Sequence, residues 1–107
     1  MQKVPDIDRI IDVIVSIIHP DKIILFGSYA RGDAKSDSDV DILILKKGIT
    51  KTRTFSGKVH SEMCRNKVDT PVDIIVMDSD VYDNNIDNAG FIYKTINQEG
   101  IVVYGAA

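Results

Sequence analysis

Three short β-rich apolar runs, KIILFG at 22–27, VDILIL at 40–45 and VDIIVM at 72–77, are separated by segments of helical period. That alternation limits the fold more than any other feature. In residues 6–19, Ile7, Ile10, Ile11, Ile14, Ile17 and Ile18 recur at the spacing of one helix face. Pro5 suits the start of that helix and Pro20 closes it. A turn or two of helix is expected over 28–34, and a longer helix over 50–69 with Phe55, Val59, Met63 and Val68 on one stripe. Gly57 weakens the longer one. Residues 78–84 read as a helix-capping turn with Ser79 or Asp80 as the cap. Residues 89–98 read as a last helix closed by Gly100 at its C′ position, and IVVY at 101–104 as a terminal strand or extended tail. The expected architecture is α/β (α+β): a small mixed sheet, central at 40–45, with helices packed mainly on one face. At 107 residues, one domain spanning 1–107 is expected.

The acids are unevenly spread. Asp33, Asp37, Asp39 and Asp41 crowd into nine residues. In extended chain, Asp39 and Asp41 share a face while Val40 and Ile42 share the other, and their Cα atoms lie about 6.6–7 Å apart. Two carboxylates so placed suit hard cations about 3.5–4 Å apart, as in two-metal phosphoryl-group transfer, and magnesium favours such oxygen donors. Asp73 is the only other acid embedded in a β-rich apolar run. If 72–77 pairs with 40–45, it joins the same face. Such a cluster is costly without cations, because like charges oppose ionisation. An Asp-x-Asp pair is by itself more often a turn-former. The segment upstream changes that balance.

Gly27 and Ser28 follow a strand and open a short helix. Glycine there lets backbone approach a ligand, and free amides at a helix start attract phosphate. Ser28 adds a hydroxyl donor, and Arg31 can reach back with a bidentate fork. Gly32 lets the chain reverse into the acidic strand. Two other motifs fail by inspection. Asp33 stands where a P-loop needs Lys. Ile42 and Gly48 stand where an EF-hand loop needs Gly and Glu, so Asp37 reads as a solvated turn residue.

Gly27-Ser28, ten intervening residues and Asp39-Val40-Asp41 resemble the signature of the DNA polymerase beta-like nucleotidyltransferase superfamily. With Arg31-Gly32, Ser38-Asp39 and the EGIVVY tail, the chain looks most like the minimal nucleotidyltransferases, MntA-type antitoxins paired with HEPN-domain toxins. The resemblance covers nearly the whole chain and implies the nucleotidyltransferase fold. It implies that Asp39 and Asp41 hold two Mg2+ ions, with Asp73 completing the metal site and serving as base. It implies that Gly27 and Ser28 bind the triphosphate of ATP. AMP would pass from ATP to a hydroxyl, the family's acceptor being a tyrosine of a HEPN toxin encoded by an adjacent gene. The alternative is a catalytically silent module that neutralises the toxin by contact alone.

The rest of the sequence bounds these expectations. Larger superfamily members carry extra domains for the acceptor, and about 30 residues follow the third strand here, so the acceptor is expected on another chain. Phe91, Ile92, Ile96, Val102, Val103 and Tyr104 either form a partner surface or pack on the sheet. Net charge −3 disfavours broad nucleic-acid binding. No apolar run approaches the roughly 20 residues of a membrane span, and no signal-peptide core is visible at the N-terminus, so a cytoplasmic address is expected. The lone Cys64 is expected to be buried or inert. His19 reads as a helix-end residue, His60 and Lys35 as surface residues, and Tyr29 either stacks on a base or packs on the helix.

Overall fold

The computed structural model describes residues 2–88 and 92–105. Helix α1 (Ile7–Ile18) buries Ile10, Val13, Ile14 and Ile18 on the expected face. It starts after Pro5 and ends at His19, whose left-handed backbone (φ 52) precedes Pro20, because proline disfavours helical backbone in the residue before it. Strand β1 (Lys22–Phe26) runs into the four-residue helix α2 (Ser28–Arg31), and the chain returns through β2 (Val40–Leu45). Helix α3 (Thr52–Arg65) carries it across to β3 (Val72–Met77). Helices α4 (Ser79–Asn85) and α5 (Ile92–Glu99) and strand β4 (Ile101–Gly105) follow.

The sheet is four-stranded, in the order β3-β2-β1-β4. β1 pairs antiparallel with β2 and with β4, whereas β2 and β3 run parallel. Parallel neighbours need a crossover, and α3 supplies it. The sheet is therefore mixed, as expected, and IVVY is a true strand on one edge.

Alternation along the strands sorts two clusters. On one face Ile23, Leu25, Val40, Ile42 and Ile44 pack against Ile10 and Ile14 of α1 and Val59 and Met63 of α3. On the other, Ile24, Leu43 and Leu45 meet Tyr82 of α4 and Ile96 of α5. The main helical layer lies on the first face, and α4 with α5 cover a smaller part of the second.

Several local expectations are refined. The cap of α4 is Asp78, whose carboxylate accepts from the Asp80 amide, rather than Ser79 or Asp80. Gly100 closes α5, but not through left-handed backbone. Space demands glycine there, since a Cβ would lie 2.6 Å from Cγ2 of Ile24. Cys64 is exposed, not buried. Val59 and Met63 define the buried stripe of α3, and the residue after Met63 is turned about 100° away from it. Of the terminal apolar residues, Phe91 lies outside the described residues. Ile96 is core, Val102 and Val103 pack against opposite clusters, and Ile92 and Tyr104 stay exposed. No helix among the described residues is long and apolar enough to cross a membrane.

Candidate active site

The candidate residues gather where β1 ends and β2 and β3 begin. Antiparallel pairing sets Phe26 opposite Asp41, which brings Gly27 beside the acidic strand. Parallel pairing sets Asp41 directly opposite Asp73. Asp39 stands just before β2. Val40 and Ile42 beside it are fully buried in the first cluster, while Asp39 is exposed and Asp41 half-buried. The pleat thus sends the hydrophobic residues to the helices and the acids to the opposite face.

Gly27 has φ 75 and ψ −154, a region essentially restricted to glycine. A Cβ at this position would run into the Asp41 carboxylate and stand 3.0 Å from its Cγ. The turn and the acidic strand are therefore in direct contact through a position that has no room for a side chain. Helix α2 begins at Ser28. The Gly27 carbonyl accepts from the Arg31 amide at 3.0 Å, and the Ser28 carbonyl accepts from the amides of Gly32 and Asp33. The first amides of such a turn have no partner within it, which is the anion-attracting end of a helix. Gly32 ends α2 with φ 88, the reversal expected of it.

Electrostatics tie the acids together. Burial first, then the charges of Asp73 and Asp39, push the Asp41 carboxyl above the ordinary aspartate value, while Arg31 pulls it down. Arg31 is held by Asp33 at 3.4 Å and by Glu99 at 3.3 Å. Glu99 lies 68 residues away in sequence and no motif announces it. The fold alone brings the end of α5 to the turn that carries Arg31.

Asp39, Asp41 and Asp73 offer only hard oxygen donors, and their mutual repulsion is what a dication would relieve, so the donor set fits magnesium. Among the described residues, no group of three or more His, Cys, Asp or Glu side chains is drawn together closely enough to hold an ion. Other candidates resolve simply. Tyr29 is buried in the first cluster. His60, Lys35 and Asp37 are exposed, and the Lys35 amide donates to Ser38 Oγ at 2.8 Å.

Known proteins share this fold. A chain from a toxin-antitoxin crystal with AMP-PNP superposes with a TM-score of 0.69 at 21% identity, over 92% of this chain and 73% of that one. A MntA-HpeT toxin-antitoxin mutant gives 0.68 at 19%, with the same coverage. Three proteins of Methanocaldococcus jannaschii, each named a putative protein adenylyltransferase, match short segments. One is 70% identical over 27 residues, 25% of this chain and 27% of that protein. Another is 57% identical over 37 residues, 35% of this chain and 25% of that protein. The matched segments span about a quarter of those relatives' lengths. The family model for polymerase beta nucleotidyltransferases matches residues 8–107. The chain belongs to the polymerase beta nucleotidyltransferase family.

Proposed function

We propose that this chain transfers AMP from ATP to a hydroxyl, a tyrosine of a HEPN-type toxin encoded by an adjacent gene, and so acts as an antitoxin. The observation that carries the reading is the packing of Gly27 on Asp41 with Asp73 as the register partner of Asp41. It puts a phosphate-binding turn against a carboxylate group on one face of the sheet. The AMP-PNP of one structural neighbour and the toxin-antitoxin assembly of two support the choice of nucleotide and partner.

In this reading Asp39, Asp41 and Asp73 would hold Mg2+, two ions being expected, and the metal would supply positive charge to offset that of the phosphates. The amides at the start of α2 and the Ser28 hydroxyl bind the triphosphate. Arg31 turns its fork from Glu99 and Asp33 towards the phosphates. The acceptor oxygen attacks the α-phosphorus, the bond to the bridging oxygen of the β-phosphate breaks, and pyrophosphate departs. Asp73 takes the hydroxyl proton. Asp73 is exposed on an edge strand, which suits an acceptor carried by a second protein. We place the reaction in the cytoplasm and read residues 1–107 as one catalytic domain.

The test is to incubate the chain, ATP and Mg2+ with the product of the adjacent gene and weigh that partner by mass spectrometry. An AMP-sized increment is expected, and it should vanish with Asp39→Asn/Asp41→Asn while the variant stays folded. Complex formation without any increment would sink the enzymatic reading in favour of neutralisation by contact.

A further inference from the structure

Between Asp41 and Glu62 the sequence contains no acid, yet it carries Lys46, Lys47, Lys51, Arg53 and Lys58. The remainder of the chain is left at a formal −8. This segment is the β2–α3 loop and the first half of α3. It lies at the opposite end of β2 from the carboxylates, with Lys46 about 17 Å along the strand from Asp41 at 3.3–3.4 Å per residue.

Two of the cations stand where a helix favours the opposite charge. Lys51 and Arg53 sit at the start of α3, whose first turn holds no acid, although the helix dipole there favours negative charge. Lys51 is the N-cap residue with left-handed backbone (φ 52) and makes no side-chain cap bond. Lys47, Lys51, Arg53 and Lys58 are exposed, and among the described residues none has a carboxylate within ion-pair distance. The nearby acids are already engaged. Asp21 accepts from the Lys47 amide and from Ser79 Oγ, and Asp78 accepts from the Gly48 amide. These bonds fix the loop backbone and leave the ammonium groups of Lys47 and Lys51 unpaired.

Three of the cations border a hollow partly walled by apolar side chains. A cavity of about 270 Å³ is lined by Ile18, Ile49 and Phe55 together with Lys46, Lys47 and Gly48. Lys58 stands over the Phe55 ring, with Nζ 5.5 Å from its centre. The hollow has room for an apolar side chain, and Lys46 and Lys47 stand in its wall.

We infer that this surface docks an acidic segment of another protein, one apolar side chain entering the hollow between Phe55 and Ile49 while flanking carboxylates meet Lys47, Lys51 and Lys58. A polynucleotide fits less well, because it carries no aliphatic side chain to enter the hollow between Ile49 and Phe55. The inference does not depend on the acid cluster at the other end of the sheet, so either can fail alone.

The test uses the full 15N-labelled chain, titrated with a dodecapeptide of glutamates around a central leucine and, separately, with a twelve-nucleotide uridine RNA. The peptide should bind saturably, shift amides between residues 46 and 58, leave those of 27–41 unmoved, and weaken as salt is raised. A Lys47→Gln/Lys51→Gln/Lys58→Gln variant with unchanged Tm should bind about tenfold more weakly, three exposed ion pairs being lost. An Ile49→Ala variant, which removes no charge, should weaken binding too. Tighter binding of the RNA at the same amides overturns the inference, and so does concentration-dependent self-association through this surface. Undiminished binding by the triple variant, or no saturable peptide binding, overturns it as well.

Discussion

The two faces of the sheet are built to different rules. The face under α1 and α3 is closed by Ile10, Ile14, Val40, Ile42, Ile44 and Val59, all at 0% exposure. The face under α4 and α5 has fewer buried residues, and it tolerates two electrostatic faults. Asp41 carries a carboxylate burdened by like charges. Among the described residues the buried Tyr82 hydroxyl has no hydrogen-bond partner, and burial raises its pKa. One face supplies stability so that the other can hold groups that lower it, the usual relation between scaffold and site.

Substitutions should therefore differ in sign between the faces. Ile42→Ala, on the closed face, should cost about 3–5 kcal/mol in a denaturant titration, since it opens a cavity in a fully packed region. A loss below about 1 kcal/mol would erase the contrast. Gly27→Ala should cost about 1–3 kcal/mol from backbone strain and, by displacing the Asp41 carboxylate, abolish AMP transfer. Stable, active protein would refute the proposed packing of turn on acid. On the second face the sign reverses. Asp41→Asn in metal-free protein should gain about 0.5–1 kcal/mol, and Tyr82→Phe between zero and about 1 kcal/mol, because an orphan hydroxyl is removed. Either variant melting below the parent would show that these groups have partners after all.

The smallest effect lies at the far rim. The backbone bond from Lys47, then the hydroxyl of Ser79, hold the Asp21 carboxyl below its ordinary value. A carboxyl whose folded value is depressed contributes stability above its unfolded pKa and loses it as pH falls through the lowered folded value. Asp21→Asn should therefore lower Tm slightly at neutral pH and leave it unchanged at the acid end, which flattens the acid limb of the Tm-against-pH curve. An unaltered acid limb would remove Asp21 from the account.

Much of this was legible in the sequence because each signal was local. Strands β2 and β3 fall on the residues expected from their apolar runs, and α1 lies within a residue of its stripe at each end. Thr52–Arg65 is shorter than the helix read over 50–69, because Lys51 before it and Lys67 after it turn left-handed. The misses are of another kind. The contact between Gly27 and Asp41, and the approach of Glu99 to Arg31, depend on which strands are neighbours and on how α5 docks, which periodicity does not encode. Exposure of Cys64 turns on a rotation of one residue around α3. The pairing of Asp41 with Asp73 was conditional on β2 and β3 being adjacent, and the parallel register supplies the condition.

The lack of room between Gly27 and the Asp41 carboxylate also bears on sequence drift. Two positions in steric contact cannot wander independently. Any side chain at 27 forces the aspartate to move, and a smaller residue at 41 removes that clash and leaves only the backbone preference for glycine. Members that have given up chemistry should lose the glycine and the aspartate together, and those still transferring nucleotide should keep both. Position 27 alone then sorts working from silent relatives, before any of them is purified.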